Sequence, residues 1–201
     1  MAKQYFNWKL AFVLVVALVV FAAAAFALHS WQQNTRAEQS LPLGERAYDR
    51  GDWEEAAQQL GRYLAVDGSN VSVLLKYADA QMKIRPMESA NIQQAIAAYS
   101  AALRLDGGNA EAVGRLIEIY LGMRTPGEAE LKARQYLQDR DDAAVCRLLG
   151  LALVQQREFE EAGHVLTALL QEHPDQIVAY EDMGRLAQLR PEDVNAPGAY
   201  W

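Results

Sequence analysis

The segment Gly51-Asp52-Trp53-Glu54-Glu55-Ala56 decides the fold, because a near copy of it returns later in the chain. The copy is Arg157-Glu158-Phe159-Glu160-Glu161-Ala162, again a turn followed by an aromatic residue, two acids and an alanine. A third version is Thr125-Pro126-Gly127-Glu128-Ala129. Here we expect Thr125 to cap a helix, Pro126 to occupy its first position and Glu128 to close a capping box. Three helix starts on one plan indicate an internal repeat.

Two series of small residues give the period of this repeat. The alanines after the turns recur at intervals of 39, 34 and 33, at Ala56, Ala95, Ala129 and Ala162. A second series precedes the turns at intervals of 34, 39, 33 and 34, at Gly44, Ala78, Ile117, Gly150 and Gly184. Both series share one exception, a five-residue insertion around residues 85–94. Because the region is also rich in helix-forming residues, the spacing predicts repeated helical hairpins.

On these residues the chain resembles the tetratricopeptide repeat family, whose unit is a 34-residue helix–turn–helix. The bulky–small pair of the first helix is present as Leu43-Gly44, Tyr77-Ala78, Leu149-Gly150 and Met183-Gly184. The resemblance implies an all-α solenoid of stacked helix–turn–helix repeats over residues 40–201. The repeats are expected at 40–70, 71–109, 110–142 and 143–176, with a partial repeat at 177–201. Ile117 replaces a small residue, so we expect looser packing around it.

The repeats are preceded by an unbroken apolar run from Leu10 to Leu28. As a helix, these nineteen residues span roughly 28 Å, close to the hydrocarbon thickness of a bilayer. Lys3 and Lys9 precede the run, which predicts a cytoplasmic N-terminal flank (1–9), a transmembrane helix (10–28) and a juxtamembrane linker (29–39). The alternative is a cleavable signal peptide, since Ala25-Phe26-Ala27 suits a signal peptidase. Both interpretations place the repeats outside the cytoplasm, on the periplasmic side.

The exported part is acidic, which narrows the class of partner. All 26 acidic residues lie beyond residue 30, against 17 of the 19 Lys and Arg, for a charge of about −9. Such a surface repels phosphate backbones and anionic headgroups, so nucleic acid is not expected as a partner. The single Cys146 has no partner for an internal disulfide and is interpreted as a packing residue.

The sequence contains no pattern typical of catalysis or of cofactor binding. It has no Gly-rich phosphate loop, nucleophile elbow or Cys pair, and its three histidines are His29, His164 and His173. His164 follows Glu161 by three residues, but no second Glu-x-x-His supplies the matching metal ligands. We therefore expect no enzyme activity, no cofactor and no metal site.

The remaining candidate is the groove that first helices line in stacked repeats, where this family binds a peptide or helix of a protein partner. Inward-facing positions give a mixed set of charges with a basic spine. The predicted groove residues are Lys76, Asp79, Lys83, Arg115, Glu118, Arg147, Leu151 and Arg185. An ordinary solvated helix face is the alternative.

These observations together predict a membrane-anchored scaffold or assembly factor that presents its repeats outside the cytoplasm. Two alternatives stay open: the anchoring and recognition part of a larger envelope enzyme, and a cleaved, soluble periplasmic binding module. We expect the chain to stop inside the last repeat, before its second helix, which leaves a partly bare patch of Tyr180, Met183, Leu186, Tyr200 and Trp201. We therefore expect either self-association through this incomplete repeat or poor order in its final dozen residues.

Overall fold

The computed structural model describes Leu18, Phe21 and residues 39–189, and from 39 onward these residues are helix and short turns, as predicted. The first helix, α1, is described over residues 39–50. The others are α2 (Trp53–Leu64), α3 (Val71–Lys83), α4 (Ser89–Leu105), α5 (Ala110–Gly122), α6 (Pro126–Leu137), α7 (Ala143–Gln155), α8 (Phe159–Glu172) and α9 (Ile177–Leu189). The fold class is therefore all-α.

The predicted membrane helix at residues 10–28 lies outside the described residues, except for Leu18 and Phe21. Within the part of the chain that the structure describes, no helix combines the length and the apolarity needed to cross a bilayer.

The chain divides into two compact units, one ending at Gly68 and the other beginning at Ser69. In the first unit, α1 and α2 form a hairpin around the fully buried Ala47, Ala56 and Leu60. The rings of Tyr48 and Trp53 meet edge to face across its turn, with centroids 5.4 Å apart. The partly buried Trp53 thus packs against its own hairpin.

In the second unit, α3 to α9 pack in chain order, each helix against the next. First helices also touch one another, α5 with α7 and α7 with α9. The largest apolar core of this unit involves helices from α5 to α9, and its fully buried members include Ile117, Leu153 and Leu166. Alternation of first and second helices along the chain is what the repeat pattern predicted.

Four helices start on a side-chain cap that the sequence makes available. Asp52, Asn70, Asn109 and Asp142 each accept a hydrogen bond from the backbone N–H three residues later. The capping box predicted at Thr125 is wrong: its hydroxyl donates instead to the carbonyl of Tyr120, 3.1 Å away. Pro126 does occupy the first turn of α6, where its missing N–H costs nothing.

The small residues of the first helices are needed for close approach to the second helices. A Cβ added to Gly44 would lie 2.7 Å from Cδ2 of Leu60, and one added to Gly150 would lie 2.7 Å from Cδ2 of Leu166. Both distances are far below van der Waals contact. Glycine at these positions therefore sets the separation of the two helices in a hairpin.

Ile117, around which we expect locally looser or shifted packing, is a core residue of the third hairpin. Ile117 is fully buried, and Ala133, sixteen residues later like Leu166 after Gly150, is fully buried in the same core. The third hairpin thus carries the large residue on its first helix and the small one on its second. Total volume is kept, which is what a packed core tolerates best.

The five-residue insertion of the second hairpin is divided between its turn and its second helix. The turn from Ile84 to Glu88 is longer than the turns of the later hairpins, and α4 has 17 residues where α6 has 12. Few direct contacts join α3 to α5, although α5 and α7 touch. The bulky, buried Tyr99 lies at the α4 position that Ala133 occupies on α6. An opening between α3 and α5 results.

The repeat pattern predicts Ile177, Tyr180 and Met183 on the inward face of α9. The buried residues of this helix are instead Ala179, Asp182 and Leu186, and Ile177 and Tyr180 are exposed. The expectation of a partly bare side chain is therefore wrong for Leu186, whereas Met183 is only partly buried against the core and Tyr180 is 38% exposed. The predicted Tyr200 and Trp201 ends of the patch lie outside the described residues.

Candidate partner-binding site

The opening between α3 and α5 is a pocket of about 330 Å³ that brings together three of the predicted groove residues, Asp79, Arg115 and Glu118. Its apolar wall consists mainly of Met82, Met87, Met123, Ile92 and Ile119, and we call it the methionine pocket. Met87 and Met123 are 39% and 47% exposed, and they adjoin the other apolar residues of this wall. Methionine adapts its shape to irregular apolar surfaces, so such a wall accepts more than one apolar side chain.

The charges at this pocket are paired within the chain. Arg115 donates to Glu118 over 3.0 Å, and this hydrogen bond raises the pKa of the Arg115 guanidinium above its ordinary value. Lys83 lies 2.7 Å from Asp79 on α3. Both pairs are partly exposed, so they contribute little to stability and remain available to orient a polar ligand.

Further along the chain, the predicted groove cations Arg147 and Arg185 meet at one carboxylate. Nη1 of Arg147 lies 3.0 Å from Oδ2 of Asp182, and Nη1 of Arg185 lies 3.6 Å from Oδ1 of the same side chain. The Asp182 side chain is 3% exposed. Arg147 therefore joins α7 to α9, whereas Arg185 pairs with Asp182 within α9. The basic spine expected from the sequence is partly neutralised at this point.

The remaining predicted groove residues have different surroundings. Leu151 on α7 is partly buried and packs against the apolar core, so it supports the fold. Lys76 on α3 is half-buried. The eight predicted residues thus do not form one continuous surface: three line the methionine pocket, and three others are engaged with Asp182 or the core.

Sequence reasoning missed the methionines and Asp182 for different reasons. Met82, Met87 and Met123 lie in two different hairpins, and only the insertion before α4 brings them to one opening. Three of the five methionines of the chain fall in this region, which was the available signal. Asp182 lies on a helix without an acidic pattern and gives no signal of burial.

Outside the methionine pocket, a cluster of possible metal ligands and a cysteine carry chemically active side chains. Asp141, Glu172 and His173 place their ligand atoms within 4.8 Å of one another, an arrangement able to hold a metal ion, although both carboxylates are exposed. His173 Nε2 lies 3.6 Å from Asp141 Oδ1. Cys146 is partly buried against the core, and this burial raises the pKa of its thiol, so its nucleophilicity is suppressed.

The helical hairpins and their small-residue contacts give this chain the fold of stacked tetratricopeptide-type repeats. A family model described as a tetratricopeptide repeat matches residues 41–85. No curated protein sequence matches the chain.

Solved structures share the fold over most of the chain. MamA from Desulfovibrio magneticus RS-1 aligns with a TM-score of 0.64 and 18% identity, over 78% of this chain and 86% of that one. PilF from Pseudomonas aeruginosa aligns with a TM-score of 0.59 and 21% identity, over 80% of this chain and 72% of PilF. YrrB, a tetratricopeptide repeat protein with an unusual peptide-binding site, aligns with a TM-score of 0.61 and 14% identity, over 81% of this chain and 82% of YrrB. At these identities the likeness shows the fold alone.

Proposed function

We propose that this chain is a membrane-anchored, non-enzymatic scaffold that binds a protein partner through the methionine pocket. The observation that carries the proposal is the pocket itself: exposed methionines, bordered by Asp79, Arg115 and Glu118, in an opening between consecutive first helices. An apolar pocket with a few polar groups at its edge is the usual form of a site that anchors one side chain of a ligand.

The chemistry favours an apolar anchor residue on an extended or helical segment of the partner. Burial of a leucine or phenylalanine side chain contributes about 1.5 to 3 kcal/mol, enough to act as the centre of a small interface. The paired charges at the edge then orient backbone and polar groups of the same segment. YrrB, with its peptide-binding site, offers a precedent for ligand binding on this fold.

The proposed location rests on the sequence. The apolar run 10–28 follows Lys3 and Lys9, so the N-terminus stays in the cytoplasm and the repeats lie on the periplasmic side of the membrane. A protein of this kind holds envelope proteins together during their assembly.

Site-specific photo-crosslinking in living cells tests the proposal. A benzoylphenylalanine at Met87, in the full chain, should give a discrete adduct with one protein, because this side chain lies in the pocket wall. Leu131 on α6 is the matched control position, since it is apolar and 59% exposed but does not line the methionine pocket.

An adduct at Met87 with none at Leu131 supports the proposal. Equal adducts at both positions, or none at Met87 in cells that express the chain normally, would show that the pocket is not a partner-binding site.

A further inference from the structure

A second pocket, of about 500 Å³, lies among α4, α5 and α6. Its described lining contains three cations, Arg104, Lys132 and Arg140, and no carboxylate. We call it the basic pocket. On α5 it uses Val113 and Leu116, whereas the methionine pocket uses Arg115, Glu118 and Ile119, so the two pockets lie on different sides of this helix.

Within the described part of the chain, the cations of the basic pocket form no ion pair, although the chain as a whole carries a net charge of −7. Among residues 39–189, neither Arg104, Lys132 nor Arg140 forms an ion pair. Arg134, on the same helix as Lys132, shows the contrast: it pairs with both Glu130 and Glu161, at 2.6 and 2.5 Å. With three cations and no carboxylate among its lining residues, the pocket has a positive local potential, which the nearby Asp106 and Asp142 reduce.

The floor of the basic pocket is fixed by Tyr136. Its hydroxyl donates to the carbonyl of Gly108, 3.2 Å away, and the guanidinium carbon of Arg140 lies 5.1 Å from its ring centroid. Burial raises the pKa of the Tyr136 hydroxyl, which therefore stays a neutral donor. The nearby Asp106 accepts from the backbone N–H of Gly108 and from the side chain of Asn109, so its oxygens are engaged in the turn.

We propose that the basic pocket binds an acidic segment of a protein, one in which carboxylates alternate with apolar side chains. The three cations match the carboxylates, and the partly exposed Leu103 matches an apolar side chain, whereas Val113 and Leu116 are buried in the core. A free phosphate makes no use of Leu103, and the acidic chain repels nucleic acid and anionic membranes. This site is separate from the methionine pocket, so neither proposal depends on the other.

The test is fluorescence anisotropy with the full chain, kept in a nonionic detergent. The probe is a short fluorescein-labelled peptide in which leucines alternate with pairs of glutamates, and its control has glutamine at every glutamate. Lys132→Glu with Arg140→Glu is the pocket variant. Arg124→Glu with Arg157→Glu makes the same change in charge at two exposed turn positions outside the pocket.

We expect the acidic peptide to bind, the glutamine peptide not to bind, and the pocket variant to bind at least about tenfold more weakly than the turn variant. Melting temperatures of both variants establish that they are folded. If the pocket variant does not fold, Lys132→Gln with Arg140→Gln replaces it. The proposal is overturned if the acidic peptide does not bind, or if the pocket variant and the turn variant lose the same affinity for it. It is also overturned if inorganic phosphate or anionic phosphatidylglycerol vesicles bind as well as the acidic peptide does.

Discussion

The guanidinium of Arg147 on α7 donates to the buried carboxylate of Asp182 on α9, with Nη1 3.0 Å from Oδ2. The two residues are 35 positions apart in the chain, and their pair joins α7 to α9. It also changes what a mutation at Arg147 tests, because the side chain has a structural role before it has any role in binding.

Removal of Arg147 should destabilise the chain. Arg147→Ala leaves the Asp182 carboxylate, 3% exposed, with only the more distant Arg185. Because a buried charge without its partner is costly, we expect a loss of about 2 to 3 kcal/mol in the free energy of unfolding, measured by urea titration.

Arg115→Ala is the control for this experiment, since its pair with Glu118 is about half exposed on both sides and should contribute less than about 0.5 kcal/mol. The double variant Arg147→Met with Asp182→Leu should recover most of the lost stability. Equal effects of Arg147→Ala and Arg115→Ala would show that the buried pair does not hold α9.

A second prediction uses the contact between Gly150 and Leu166. Gly150→Ile should destabilise by about 1 to 3 kcal/mol, because its Cβ alone would lie 2.7 Å from Leu166 Cδ2. Combination with Leu166→Ala reproduces the arrangement of Ile117 and Ala133 in the third hairpin. The loss in the free energy of unfolding of the double variant should therefore be smaller than the sum of the losses of the two single variants. We expect a difference of about 1 kcal/mol or more.

Gly184 provides the matched control, since a Cβ there meets nothing within 4 Å. Gly184→Ile should change the free energy of unfolding by about 1 kcal/mol at most. Strictly additive losses in the Gly150 and Leu166 variants would mean that large and small residues do not compensate across the hairpin.

A third prediction concerns topology. Alkaline phosphatase, which is active only outside the cytoplasm, should be active when fused after Trp201. Replacement of Lys3 and Lys9 by Gln should reduce this activity, because these charges orient the apolar run. An active cytoplasmic reporter at the same position would contradict the orientation. A mature chain that begins near Leu28 would favour the signal-peptide alternative over the anchor.

A fourth prediction concerns self-association through the start of α9. Ile177 and Val178 are 74% and 50% exposed, so lysine at both positions should shift the chain toward the monomer in analytical ultracentrifugation. Lysine at Leu105 and Leu131, which are 51% and 59% exposed, is the control. A chain that is monomeric at every concentration, or an equal shift in both variants, would contradict self-association.

The sequence predicted the helices well because the signal lies in the residues themselves. Recurrent alanines and glycines mark where helices approach, and Asp52, Asn70, Asn109 and Asp142 mark where helices begin. Packing between repeats was predicted less well. A periodic pattern gives a residue's face on its own helix, but it does not show which neighbour fills the space opposite.

Ile117 and Asp182 illustrate this limit. Ile117 was expected to loosen or shift the core, yet it is fully buried, and the small Ala133 lies at the position that Leu166 occupies in the fourth hairpin. The sequence carries no signal that Asp182 is buried, but its side chain is 3% exposed and pairs with Arg147. The candidate site was predicted only at Asp79, Arg115 and Glu118, because its apolar wall is made by an insertion that breaks the repeat.

The measurement that tests the central claim most directly fills the methionine pocket and follows the crosslink at Met87. A Cβ at either Gly122 or Gly114 on α5 meets nothing within 4 Å, but only Gly122 lines the pocket. The same substitution at both positions therefore separates occupation of the pocket from any general effect on the helix.

With benzoylphenylalanine at Met87, Gly122→Phe should abolish the partner adduct, while Gly114→Phe should leave its yield unchanged. Both variants should retain the helical circular dichroism of the parent chain. An adduct that persists in Gly122→Phe, or that is lost equally in both variants, would contradict the claim that this chain binds its partner through the methionine pocket.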